Sequence, residues 1–252
     1  MDVNEKFATM DSSNTELFRQ SIFKRDDTLF GCGIQAHCAG ENFDVLKVCR
    51  TLSAALLDVT RSEKLTQSHL TATSSMVQPA PLMPDTFGRI FITIGSRNLL
   101  DTVLIEYITR VSDALKIHDK ILTVSIDEFS FPLSTTEEKR TLISHIYLLK
   151  DSGIDIAFSS YNLLEGSTKT QSTPNIFNYL IVDLQKNELS EKLNATPELL
   201  NRLYDQMNIM THTKKVRFIA ERIELEHHQV LARSLPFDFF QGDYYSPQGI
   251  RK

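Results

Sequence analysis

The chain is 252 residues long, 41% hydrophobic, with 15 Phe and a formal net charge of −5. That length suits one large α/β barrel better than two small domains, and the apolar content excludes disorder as the ground state. The acidic balance argues against a general nucleic-acid binder, which carries a basic stripe or a basic domain.

Residues 1–16 open with Met1-Asp2-Val3-Asn4-Glu5-Lys6, too polar for a secretory leader, and read as a flexible segment ahead of a single domain over 17–252. Apolar runs at 18–23 and 28–36 flank Lys24-Arg25-Asp26-Asp27, a tight-turn composition, so a hairpin is expected. Helical spacing follows over 43–59, through Phe43, Leu46, Cys49, Leu52 and Leu56. Residues 66–84 shift to Ser, Thr, Gln and Pro, and Pro79, Pro81 and Pro84 preclude regular structure there, which implies a long loop.

Beyond the loop the pattern alternates. Strands are expected at 89–94, 121–126, 154–158, 177–183, 216–220 and 237–240, and helices at 99–117, 136–149, 197–210 and 224–234. The helix at 99–117 places Leu100, Val103, Leu104, Tyr107, Val111 and Leu115 on one face. Repeated strand–helix units imply a parallel sheet, and this many imply a barrel, with the opening hairpin adding one antiparallel strand. Cys32, Cys38 and Cys49 form no C-x-x-C pair, and their odd number points to reduced thiols in a cytoplasm, packed as small core residues. No stretch approaches the ~20 apolar residues of a membrane span.

Two closing segments carry a family likeness: Phe218-Ile219-Ala220-Glu221-Arg222-Ile223-Glu224 and Phe240-Gln241-Gly242-Asp243-Tyr244. They resemble the C-terminal signature of the bacterial EAL family, the cyclic di-GMP phosphodiesterases, and the likeness spans roughly 17–247. The fold it implies is a modified TIM-type (β/α)8 barrel with one antiparallel strand. In that register Gln20 is retained from the opening Y-Q-P-I strand. The segment Gly31-Cys32-Gly33-Ile34-Gln35-Ala36-His37 stands at G-v-E-A-L-l-R, so the name-giving glutamate is Gly33 and the nucleotide-holding arginine is His37. Ile94 replaces the metal-binding asparagine, Ser125 replaces the first glutamate of E-i-T-E, and Glu128 keeps the second. Ser159 and Ser160 replace both aspartates of D-D-F-G, and Ile181 replaces the lysine of l-K-I-D while Asp183 is retained. Glu221 and Gln241 keep the glutamate and glutamine of the closing signature, and Arg222 stands where the family has glycine.

The resemblance attributes phosphodiester hydrolysis to two divalent metals, which favour carboxylate, carbonyl and water ligands. Loss of the family's residues at the positions of Gly33, Ile94, Ser125, Ser159, Ser160 and Ile181, members of an interdependent set, implies no bound metal, no cofactor and no turnover. His37 offers no bidentate guanidinium to phosphate, which disfavours nucleotide binding. The resemblance therefore implies a degenerate EAL-like barrel that acts by binding another protein, as stand-alone EAL-like regulators of enteric bacteria do. By analogy with those, the partner would be a transcription regulator such as the flagellar master regulator. A cyclic di-GMP receptor without turnover is the alternative, with a residual phosphodiesterase behind it. A cytoplasmic monomer without membrane or nucleic-acid contact is expected. His227 and His228 lack the i, i+4 spacing of a helical metal pair and read as solvated surface. Serine chemistry at Ser159 and Ser160 lacks a G-x-S-x-G turn and an assignable His–Asp partner.

Overall fold

The computed structural model describes residues 15–38, 88–127, 135–159, 161–164, 176–189, 192–193 and 196–245. The expected helix at 43–59, the loop at 66–84, Glu128, Ser160, most of the loop after residue 164 and the side chain of His37 lie outside the described residues. Eight strands close a barrel in chain order: β1 (Thr15–Lys24), β2 (Leu29–Cys38), β3 (Arg89–Gly95), β4 (Ile121–Asp127), β5 (Asp155–Phe158), β6 (Tyr179–Asp183), β7 (Arg217–Glu221) and β8 (Phe239–Gln241). β1 runs antiparallel to both of its neighbours, β2 and β8, and the remaining pairs are parallel. This is the mixed eight-stranded barrel expected from the alternating pattern.

The hairpin between β1 and β2 forms because Lys24 N–H donates to the Thr28 carbonyl at 2.8 Å. Asp26 Oδ1 accepts from Thr28 N–H at 3.0 Å, and Asp27 takes the left-handed φ of 61° that an Asp tolerates. Four helices are described: α1 (Thr102–Lys116), α2 (Thr136–Asp151), α3 (Pro197–Lys214) and α4 (Glu226–Ser234). Thr135 and Glu138 form a reciprocal capping box on α2, a device worth about 1 kcal/mol. Pro197 opens α3, and Lys215 in a left-handed conformation ends it.

One expected face needs correction. The segment 99–117 is not one helix: a 3-10 turn occupies Asn98–Leu100, and Asp101 caps a new start by accepting from Val103 N–H. That cap sets the rotation of α1, so Leu104, Ile105, Ile108, Val111 and Leu115 face inward, while Val103 is 64% exposed. The N-cap, invisible to a periodicity count begun at Leu99, decides which stripe is buried.

The pleat sorts the strand residues into two cores. Ile90, Ile92, Ile94, Leu122, Val124 and Ile126 point outward and join the helix residues in the layer around the barrel. Ile22, Phe91, Ala157, Tyr179, Ile181, Ile219 and Phe239 fill the barrel itself, with Phe30 packed against them. Period-two alternation places each residue on one side or the other.

Candidate functional site at the barrel mouth

The N-terminal end of the barrel is plugged. Arg89 pairs with Asp155, and Arg217 donates to the Tyr179 hydroxyl at 2.7 Å. Arg217 also lies 4.9 Å from the Tyr179 ring and 5.3 Å from the Phe239 ring, while Phe30 stacks on Phe239 at 3.8 Å. Burial is the largest influence on Tyr179 and pushes its hydroxyl up to about 12, against the pull of Arg89 and Arg217. Sequence reasoning missed this floor, although its signal was present. Arg89, Asp155, Tyr179 and Arg217 all open strands on the parity of inward-facing residues.

Barrel enzymes work at the other end, where the strands finish. Apart from Ile181, the described site residues divide there into three polar groups and one outlier. In the first group, Gln20 on β1 pairs in register with Gly33 on β2. Gln241 on β8 donates to Gln20 Oε1 at 2.9 Å, and Gln20 Nε2 in turn donates to Asp243 at 3.0 Å. A Cβ built on Gly33 would stand 3.1 Å from Gln241 Nε2, so the Gln241 amide already occupies the space a side chain at position 33 would enter.

The second group is a buried hydroxyl pair: Ser125 at the centre of β4 and Ser159 just after β5 are hydrogen-bonded to each other. The pair is neutral. The third group joins the ends of β6 and β7, where Asp183 and Glu221 are register partners. Asp183 is buried; its Oδ1 accepts from the N–H groups of Gln185 and Lys186 at 3.0 and 2.9 Å, and its Oδ2 faces Arg222 Nε at 3.1 Å. Arg222 holds φ at 60°, which costs a non-glycine residue roughly 1–2 kcal/mol. Asn187, which sequence reasoning did not single out, donates to the Asp183 carbonyl at 2.7 Å and accepts from Leu163 N–H at 3.2 Å, tying two rim loops together.

The outlier is Ile94. It is fully buried in the outer layer with Ile90, Ile92 and Ile126, so it does not face the barrel mouth. Toward the mouth end of β3 the residues that share the parity of Ser125 are Thr93, its direct partner, and Gly95. Ile181, by contrast, lies inside the barrel beside Ile219 and Phe239.

Gly242 locks the closing segment. A Cβ there would meet the Ile223 carbonyl oxygen at 2.2 Å, and Ile223 exchanges backbone bonds with both sides: its N–H donates to Gln241 at 3.1 Å and its carbonyl accepts from Tyr244 at 2.9 Å. The histidine expectation needs partial correction. His227 is exposed, but His228 is buried and packs edge-on against it at 4.3 Å, with Nδ1 accepting from Glu224 N–H at 3.4 Å. Desolvation, then the His227 charge, lowers the pKa of His228. Among the described residues no group of three or more His, Cys, Asp or Glu is placed to hold a metal ion. Among them, too, no helix is long and apolar enough to cross a membrane.

With the barrel topology and the antiparallel β1 established, comparison with solved structures identifies the architecture. The chain has the EAL-domain fold. It is similar to YkuI of Bacillus subtilis, solved in complex with substrate c-di-GMP and calcium, with TM-score 0.63 and 13% identity over 100% of this chain and 58% of that one. It is similar to the EAL enzyme Bd1971, solved with cAMP and cyclic-di-GMP bound, with TM-score 0.57 and 16% identity over 93% of this chain and 62% of that one. An EAL-domain protein of Listeria monocytogenes EGD-e matches at TM-score 0.54 and 16% identity over 99% of this chain and 94% of its own. The chain thus spans about three fifths of the length of YkuI and of Bd1971. No protein-family model matches the sequence, and no curated protein matches it.

Proposed function

We propose that the chain is a non-catalytic EAL-fold regulator that acts by binding another protein, with a transcription regulator as the partner. The observation that carries the reading is the Ser125–Ser159 pair. Two neutral hydroxyls hydrogen-bonded to each other stand where the family resemblance places carboxylates for divalent metals.

The residues present do not fit a pair of such cations. Gly33 has no side chain, and the space it would use is taken by Gln241. Asp183 already spends its oxygens on two backbone N–H groups and on Arg222. Ile181, at the position of the family lysine, is packed among apolar side chains. Hard divalent cations require several oxygen ligands, with carboxylates to balance their charge, so this donor set supports a role without hydrolysis. A barrel that retains its core while its mouth turns inward on itself can still offer its rim and outer helices as contact surface.

The test has two arms. Incubation with cyclic di-GMP and Mn²⁺ is expected to release no linear dinucleotide, and product formation that depends on Glu221 would overturn the reading. In the native host, the chain is expected to co-purify with a transcription regulator in fixed stoichiometry and to reduce its binding to DNA. A second reading, a cyclic di-GMP receptor without turnover, is favoured by retention of Glu221 and Gln241 and by the nucleotide bound in YkuI and Bd1971. Calorimetry with Mg²⁺ or Ca²⁺ separates the two: micromolar binding supports the receptor, and silence at high nucleotide concentration rejects it.

A further inference from the structure

We propose that the rim formed by the end of β7, the start of α4 and the turn after β8 is the docking surface of the protein, and that it takes the basic, DNA-contacting face of its partner. The proposal rests on the reading of the chain as a binder of a transcription regulator, and it assigns that contact to particular residues.

Backbone bonds bring the two segments together. Ile223 N–H donates to the Gln241 carbonyl at 3.1 Å, and Tyr244 N–H donates to the Ile223 carbonyl at 2.9 Å. The rim so built carries three large apolar side chains in the open: Leu225 at 53% exposure, Val230 at 61% and Tyr244 at 45%. Val230 lies one turn after Glu226 on α4 and continues the rim down that helix.

Leu225 carries the most weight. It holds the N-cap of α4 with φ −125° and ψ 158°, the extended geometry that a Ser, Thr, Asp or Asn cap adopts, yet it makes no side-chain cap bond. A leucine there forgoes the cap and still leaves half of itself in water. A residue that serves neither the helix nor the core points to a surface that covers it.

Charge says what that surface is. Over residues 221–230 and 239–245, Glu221, Glu224, Glu226 and Asp243 stand against a single Lys or Arg, Arg222. The Arg222 guanidinium faces the buried Asp183 at 3.1 Å, so its charge is already met. Glu224, Glu226 and Asp243 are exposed, and among the described residues none of them forms an ion pair. Carboxylates around exposed Leu, Val and Tyr repel nucleic acid and acidic proteins, and they match a Lys- and Arg-rich face. DNA-binding proteins carry such a face, and covering it keeps them off the phosphate backbone.

The experiment places a photo-crosslinking phenylalanine analogue at Val230 or Tyr244 of the full chain, with Tyr204 and Ile209, exposed on α3, as comparison positions. Crosslinking is done in the native host, and the captured peptide is sequenced. The rim positions should capture a Lys- and Arg-rich segment of a DNA-binding protein about fivefold or more above the α3 positions, and duplex DNA added to a lysate should compete. Glu224→Gln, Glu226→Gln and Asp243→Asn together should cut the Val230 crosslink by about fivefold. Leu225→Ser supplies the missing cap, so it should raise the melting temperature while weakening the Val230 crosslink by about threefold, a pairing that a merely structural leucine would not give. The proposal is overturned if the captured segment is not basic, if the neutralised variant melts and crosslinks like the wild type, or if Leu225→Ser leaves the crosslink unchanged. Capture of a regulator through the α3 positions alone removes this proposal and leaves the regulatory reading standing. Capture of none at any position removes both.

Discussion

Replacing Gly33 with Glu puts back the residue that the family resemblance expects at that position, and the structure predicts a protein that is less stable. A Cβ at position 33 would stand 3.1 Å from Gln241 Nε2, so the Gln241 amide gives by a few tenths of an ångström for the Cβ alone and is displaced further by the rest of the Glu side chain. That movement breaks its 2.9 Å bond to Gln20, a loss of about 1 kcal/mol. Gly33 is itself buried, and taking the added carboxylate out of water costs a further ~1–3 kcal/mol. The expected total is ~2–4 kcal/mol, read as a lower urea midpoint at unchanged slope. Truncating Gln241 to Ala vacates the contested space, so Gly33→Glu should cost at least ~1 kcal/mol less in that background, a coupling typical of residues in contact. Equal cost in both backgrounds, or a Gly33→Glu variant within about 0.5 kcal/mol of the wild type, would refute the reasoning that Gln241 fills the site.

Gly242→Ala drives a Cβ to 2.2 Å from the Ile223 carbonyl oxygen and disturbs the backbone bonds on either side. A loss of roughly 2–4 kcal/mol in chemical denaturation is expected, whereas Gly88→Ala, with nothing within 4 Å of the new Cβ, should stay within about 0.5 kcal/mol. Tyr179 has a folded pKa raised to about 12 from 10.0, so its contribution is intact below pH 10 and is lost as pH rises toward 12. Thermal melts at pH 8 and pH 11 should show a smaller alkaline loss in Tyr179→Phe than in the wild type, and an identical loss would count against the buried phenol. His228 has a lowered pKa, so its contribution is present above its unfolded value and falls away as the buried ring is forced to protonate. His228→Asn should flatten the acid side of the stability profile, which melting between pH 7 and pH 5 would reveal.

The sequence by itself determined the barrel. Strand and helix periods, the hairpin at Lys24–Asp27 and the single antiparallel strand are local or nearest-neighbour properties, and each is visible as spacing or turn chemistry. The family resemblance, not spacing, singled out Gln20, Gly33, Ser125, Ser159 and Gln241 as site positions; the Gln20–Gln241 bond and the Ser125–Ser159 pair belong to the folded barrel. Only the tertiary structure decided which way particular residues face. Ile94 turned outward because a one-residue difference along a strand exchanges the barrel interior for the helix layer. Val103 turned outward because the cap at Asp101 sets the phase of α1. The mouth was decided the same way. That Gln241 fills the space above Gly33, that Arg222 reaches Asp183 and that Arg89, Asp155, Tyr179 and Arg217 plug the floor are contacts between strands far apart in the chain. No local pattern encodes them, because they arise when closure of the barrel brings those strand ends together.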